Sequence, residues 1–445
     1  MGCVLESHSS FGGGNSEPAY EWDVSELESA RGDLLPATAP RCAIALRCAV
    51  RVPDEPKVAC ALAIAEATAD GERVPYDGYA AVERRGRSSL FYPKANYALE
   101  LRDEDGTTDR PINLLGMGKD EDWVLDGSWV DRSFVRNQIV SELFSSAAPE
   151  RYAPEARYCV LNLNEKYQGI YRLVERPKRD GQRIDIAKDD GSGQSFIIRQ
   201  DDEGRLHFPL GFESQWKPTY PNANRITDSQ LRGIQEWLDQ LHAALKKRTP
   251  GTKGVFGFLD REDVIDWILI QELSKNIDAY KLSVHLYKDR GDLARLVPWD
   301  FDMAFGQPKV NVDLLAGADW DLGGEELANA HRRKGWIAQR STFLKHLLAV
   351  PDFPEALTQR WFELRASAWS TDEIMQRLER ATAAVEPEAR ANFERWPLKN
   401  VDFQSIYPPY SLYRVETYEE EVERLRDWIG KRLEWMDEHI EAFAE

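Results

Sequence analysis

Hydrophobic residues change their spacing part-way along this chain, and that change limits the folds open to it. From Arg41 to about residue 200 they come as short or alternating runs: Ala43 to Val50, Val58 to Ala65, Tyr79 to Arg84, Tyr97 to Arg102 and Trp123 to Leu125. Segments of that length and period read as strands. Val160 to Leu163 returning as Gly169 to Val174 reads as a hairpin over 158–174. One helix interrupts the series. Asp131 is a good N-cap, and Phe134, Val135, Ile139 and Leu143 fall on one side of a helix running to Phe144. Farther on, Leu231, Ile234, Trp237, Leu238, Leu241 and Leu245 recur at three- and four-residue steps, and Asp263 to Leu273 is a second apolar segment. Tyr418, Val422, Leu425, Ile429, Leu433, Met436, Ile440 and Phe443 make a long closing stripe. Each stripe predicts an amphipathic helix whose apolar side faces the core. Short strands are expected at 284–287 and 295–299. The fold class is therefore α+β, strand-rich over about 41–200 and helical over 201–445, after a Gly/Ser/Glu-rich tether over 1–40.

Charge narrows the partners. Against 57 Lys and Arg stand 76 Asp and Glu, a net charge of −19. Nucleic acid is excluded as the main partner, since phosphate-backbone binding relies on basic surface. A single nucleotide is not, because one local basic cluster and a metal can hold it. No apolar run approaches the ~20 residues of a membrane helix. Met1-Gly2-Cys3 followed by a polar stretch resembles the lipobox of a bacterial lipoprotein. On that reading Cys3 carries a lipid, its only link to a membrane, and the protein is exported to the cell envelope. Otherwise the terminus is a plain polar tail and the chain is cytoplasmic. Acylation at Gly2 fits less well, because that pattern wants Ser or Thr where Glu6 stands. Cys42, Cys48, Cys60 and Cys159 match no zinc spacing. Buried free thiols are the expected state, with one bridge across the first hairpin as the alternative.

Three polar constellations carry chemistry. The strongest is Val297-Pro-Trp-Asp300-Phe-Asp302-Met-Ala-Phe-Gly306. Two carboxylates two residues apart on an extended chain lie ~6.5 Å apart along one face. A hard cation such as Mg²⁺ fits between such oxygens while nucleotide phosphates complete its shell. Apolar neighbours would bury the pair, and buried carboxylates need a cation or a basic partner. Upstream, Asn276-Ile-Asp278-Ala-Tyr-Lys281-Leu-Ser283 follows a predicted helix. In protein kinases a catalytic-loop Asp takes the acceptor hydroxyl and a residue five positions later binds metal, the spacing of Asp278 and Ser283. Lys281 is placed to neutralise the transferring phosphate. Third, Arg85-Gly86-Arg87-Ser88-Ser89 with Pro93-Lys94 offers cations around a glycine that lets the backbone approach a ligand.

These blocks, with Asp122-Trp123, Asp131, Arg136-Asn137 and Tyr167-Gln-Gly169-Ile-Tyr171-Arg-Leu-Val-Glu175, occur in an order that resembles the CotH (spore coat protein H) family. The resemblance covers about residues 80–306, and Trp428 and Arg432 resemble the family's end. It implies a two-lobed, protein-kinase-like fold acting on Ser or Thr of protein substrates with ATP and Mg²⁺ or Mn²⁺. By that analogy Lys94 is the ATP-phosphate lysine and Glu142 its partner. Asp278 is the base, Asp300 and Asp302 hold metal with Ser283 beside them, and Glu175 lies where adenine would sit. The chain departs from the family pattern at Ser283, where Asn is usual and a hydroxyl is a poorer metal ligand, and at Asn164-Glu165 in place of an Asn-Gly turn. Two rival readings stay open: a non-catalytic binding protein on a kinase scaffold at the cell surface, and an Asp-x-Asp metal-dependent glycosyltransferase.

Overall fold

A computed structural model describes residues 42–68, 71–201, 204–208, 215–280, 282–310, 335–337, 341–398, 410–412 and 415–444. The tether, Cys3 and Lys281 lie outside the described residues. Seven strands, β1 (Cys42–Cys48), β2 (Val58–Thr68), β3 (Gly71–Arg85), β4 (Asn96–Arg102), β5 (Asp122–Asp126), β6 (Ala156–Leu163) and β7 (Lys166–Glu175), close into a barrel in the order β1-β2-β3-β4-β5-β7-β6. Closure is parallel, with Ala43 opposite Val160 and Leu46 opposite Leu163. Alternate residues, among them Ile44, Leu46, Leu62, Ile64, Val82, Leu99, Trp123, Leu125, Leu161 and Leu173, fill one buried cluster. Closing the sheet leaves no exposed edge to aggregate. The β6–β7 turn puts both Asn164 (φ 48°) and Glu165 (φ 62°) in the left-handed region. A tight hairpin needs that pair of angles, which Asn-Gly would adopt with less strain.

The cysteines correct the sequence reading. Cys48 and Cys60 are joined across the β1–β2 hairpin, and Cys42 is joined to Cys159 across the parallel closure. Both bridges lie on directly facing or adjacent strands, with Cα atoms 4.3 and 4.6 Å apart, inside the usual disulfide range. Alkylation of the denatured, unreduced protein is expected to leave all four cysteines unlabelled, and reductant to expose them together. Labelling of any of the four before reduction would overturn the pairing.

Helices α1 (Arg136–Ala147), α2 (Asp228–Lys247), α3 (Arg261–Ser274), α4 (Thr342–Leu348), α5 (Phe353–Arg365), α6 (Thr371–Arg395) and α7 (Tyr418–His439) share a second, larger core. The predicted stripes are the buried faces: Ile234, Trp237, Leu238 and Leu241 on α2, and Leu425, Ile429, Leu433 and Met436 on α7. Thr227 and Gln230 form a capping box at the start of α2. Helix α3 is buried on nearly every side, as a helix apolar all round must be. Although α1 is embedded in the strand-rich half, its Ile139, Val140, Leu143 and Phe144 pack into this helical core. It starts at Arg136, later than the sequence predicts. Phe134 takes φ 65°, and Asp131 caps from a distance, accepting from the Arg136 backbone N–H at 2.9 Å.

A second sheet lies beside these helices. Its strands β8 (Phe196–Gln200), β9 (Leu206–His207), β10 (Gln215–Tyr220), β11 (His285–Lys288) and β12 (Arg295–Val297) run in the order β9-β10-β8-β11-β12. Two-stranded ladders at Ile112–Asn113 with Lys119–Asp120 and at Pro308–Val310 with Tyr410–Leu412 complete the described strands. The architecture is thus mixed α+β.

Candidate functional site

Two loops that bracket β11 and β12 are stitched together. After α3, Lys275 turns left-handed and ends the helix. The Asn276 side chain then holds both loops: its Oδ1 accepts from the Asp278 N–H at 3.2 Å, and its Nδ2 donates to the Asp300 carbonyl at 3.3 Å. Ser283, itself left-handed at φ 58°, donates from Oγ to Asp300 Oδ2 at 2.9 Å. From α1, Asn137 Oδ1 accepts the Phe301 N–H at 2.8 Å, and Arg136 Nε donates to the Ala304 carbonyl at 2.9 Å. The Asp-Phe-Asp segment is therefore pinned from two helices.

It is not the extended strand the sequence suggests. Asp300 takes φ 67°, and Ala304 N–H returns to the Phe301 carbonyl at 3.1 Å, closing a turn over Asp302. Asp tolerates the left-handed region better than most residues, and conformations of that kind gather at functional sites. The two carboxylates thus leave one face of a strand for two sides of a bend.

Acidic groups crowd this bend. Asp300 is open to solvent on one side but packed on the others. Burial and then Asp278 raise its pKa to about 6, against the pull of Ser283 and Arg85. Asp302 is held well above the ordinary carboxylate range by burial, then by Asp300, Asp126, Asp278 and Asp131 in turn. Asp126 was not anticipated. It ends β5, accepts the Ser128 N–H at 2.8 Å and pairs with Arg172 at 3.0 Å. Asp278, Asp300 and Asp302 do not bring three oxygens within 4.8 Å of one another. Among the described residues only Asp120, Glu121 and Asp122 do, and Lys178 sits among them at 2.9, 3.0 and 2.9 Å. That cluster is a salt-bridged knot with its cation already in place.

No curated protein matches the chain. The profile of the family described as CotH kinase protein matches residues 82–436, most of its length. The chain belongs to that family. The matched span of this CotH kinase runs from within β3 to the last turns of α7, so it takes in Arg85, Asp126, Asp278, Asp300 and Asp302.

Several expected site residues of this CotH kinase are engaged elsewhere. Lys94 is buried, and its ammonium donates to the Ile170 carbonyl and to Asn392 Oδ1 at 3.0 Å. The rings of Tyr171 and Phe134 lie 4.9 and 5.1 Å from it. Burial drives its pKa well below the ordinary lysine value. A phosphate lysine must reach the cleft, and this one is committed to the seam between β7 and α6. Glu142 does not pair with it; its carboxylate accepts from Gln138 at 2.8 Å one turn away on α1. Glu175 is buried with its oxygens taken by Gly118 N–H at 2.8 Å, Glu155 N–H at 3.0 Å and Arg183 at 3.2 Å. It locks the end of β7 and has no lone pair to offer adenine. Ser283 spends its hydroxyl proton on Asp300, so it orients a carboxylate.

The Arg-Gly-Arg turn fares differently. Gly86 has φ 126°, and a Cβ there would lie 1.7 Å from Ser89 Oγ, so only glycine fits. Ser88 begins a short 3₁₀ turn and Arg87 is exposed on it. Arg85, at the end of β3, lies over the Trp299 ring at 5.9 Å and is close enough to Asp300 to lower its pKa. Of the cations expected at the site and described here, Arg85 is the one that acts on the acidic bend. Asn137 could have been found, since it sits in the Arg136-Asn137 block. Asp126 carries no signal beyond following a predicted strand.

Proposed function

We propose that this CotH kinase transfers the terminal phosphoryl group of ATP to Ser or Thr of a protein substrate, with a divalent cation held by Asp300 and Asp302. The barrel and the helical core serve as the two lobes of a kinase-like fold, with the reaction between them. The observation that carries the reading is the company Asp302 keeps: burial and four carboxylates act on it most strongly. Interior carboxylates that repel one another call for a hard cation, and Mg²⁺ or Mn²⁺ suits a one- or two-carboxylate site completed by phosphate oxygens. Once bound, the cation bridges phosphate oxygens and neutralises their charge.

The chain's own groups do the rest. Asp278, half-buried on a loop tied to Asp300 through Asn276, orients the acceptor hydroxyl and takes its proton. Ser283 fixes the rotamer of Asp300, and Asn137 and Arg136 fix the backbone around Asp302. The two disulfides suit an oxidising compartment, which agrees with export on a lipid at Cys3.

Incubation with ATP and Mg²⁺ or Mn²⁺, followed by mass spectrometry, is expected to show phosphate on Ser or Thr. Thermal stabilisation should follow ATP with metal and not UDP-sugars. Stabilisation by UDP-sugars with Mn²⁺ alone would move the site to glycosyl transfer. Neither nucleotide binding nor phosphosites would leave a non-catalytic scaffold.

A further inference from the structure

The acidic bend has a basic counterpart on the same ring system. Strand β8 pairs antiparallel with β11 so that Arg199 stands opposite His285. Directly opposed residues project to the same side of a sheet and meet. The His285 ring lies 5.6 Å from Trp299, and Arg85 lies over that same Trp299 at 5.9 Å. Arg176, the residue after β7, extends from the barrel side and reaches Asp122 only loosely, at 3.6 Å. Arg85, Arg176 and Arg199 are near enough to one another and to His285 that each guanidinium disfavours charge on the imidazole, which stays neutral.

Two features say that this gathering awaits a ligand. Arg85 forms no ion pair among the described residues, although the chain carries a net charge of −19 and could have supplied one. His285 is 6% exposed, and its Nδ1 has no hydrogen-bond partner, a rare state for a buried nitrogen. Arg176 and Arg199 keep 43% and 41% of their side chains exposed, so the cluster opens to solvent. Guanidinium forks match phosphate oxygens in geometry and stay charged at every working pH.

We propose that Arg85, Arg176 and Arg199 form a polyphosphate-binding wall beside Trp299, which grips the non-transferred phosphates of the nucleotide. The wall takes the neutralising task that Lys94, buried between β7 and α6, does not perform. Arg85 stands at the junction, acting on Asp300 on one side and facing the other two arginines on the other. This assignment rests on the ATP reading above, but its chemistry is that of any linear polyphosphate. An acidic acceptor peptide is the competing occupant.

Calorimetric titration of the full chain tests it, with ATP, adenosine and inorganic triphosphate, each with Mg²⁺. The wild type is expected to bind ATP at least tenfold more tightly than adenosine, with affinity falling steeply as KCl rises. Arg85→Met and Arg199→Met are each expected to weaken ATP binding about tenfold, the usual scale of one lost charge-assisted contact. Their double variant should weaken it further, with adenosine unchanged and melting temperatures near wild type. Equal ATP affinity in the variants overturns the wall. So does a loss confined to KM for an acidic protein substrate. If the wild type binds no ATP but binds inorganic triphosphate through these arginines, the wall stands and the kinase reading falls.

Discussion

Asp302→Asn is expected to abolish phosphoryl transfer and, in metal-free buffer, to raise the melting temperature. Both effects have one cause. Asp302 is surrounded by Asp300, Asp126, Asp278 and Asp131, and all four resist its ionisation. The folded chain therefore carries a repulsion that the unfolded chain escapes, and a neutral amide of the same shape removes it. The same substitution withdraws charge from the bend that binds the cation. Loss of one preorganised electrostatic group costs about 10²–10³ in turnover, so activity falls by at least that factor. Asp278→Ala should reach a similar loss without the gain in stability, because its role is to receive a proton from the acceptor. The pair of measurements is phosphate incorporation and a melting curve in chelator. Wild-type turnover in Asp302→Asn would sink the assignment. So would a fall in melting temperature, since it would mean that the carboxylate is a structural partner. Stability held back at a working site is a recurrent trade in enzymes.

Whether a residue's place could be read from sequence depended on how far its determinants lie along the chain. Helices α2, α3 and α7 declare themselves because three- and four-residue spacing is local, and the same stripe that marks each one is the face it buries. Barrel closure is not local. It rests on β1 meeting β6, and the Cys42–Cys159 bridge that accompanies it spans 117 residues. A strand-rich half could equally have formed an open sheet. Lys94 misled for the same reason: its ammonium is taken by Asn392, 298 residues away on α6. The acidic motif was legible in composition and not in shape. Asp300 and Asp302 flank an apolar residue as a strand would place them, but the left-handed turn at Asp300 follows from bonds to Asn276, Ser283 and Asn137. Arg199 and His285 had no marker at all, because only the β8–β11 register brings them together.

Arg136→Met should destabilise the chain by about 3–5 kcal/mol, the cost of stranding a buried charge by removing its partner. Arg136 is fully buried and nearly saturated. It donates to Asp131 and to Ser133 Oγ at 2.9 Å through Nη1, to Glu421 at 2.7 Å through Nη2, and to the Ala304 carbonyl at 2.9 Å through Nε. Burial alone would lower its pKa, but Glu421 and Asp131 more than offset that and hold it above the ordinary value. Glu421 in turn is held below its ordinary 4.5 against its own burial by Arg136 and Arg424. A depressed carboxylate contributes stability above its unfolded pKa and loses it as pH falls through the folded one. Wild-type stability should therefore decline in acid below about pH 4.5, where Glu421 begins to protonate. In Arg136→Met that decline should shrink, because only Arg424 still favours the ionised form. Arg136→Lys should not restore stability, since an ammonium cannot serve three directions in a plane. The consequence reaches the site through Ala304: even where the variant remains folded, the bend at Asp302 loses one of its two anchors from α1, and turnover should fall with it. A denaturation midpoint equal to wild type at pH 7 would show that Asp131 and Glu421 find other partners, and that the interior of this fold does not depend on the triad.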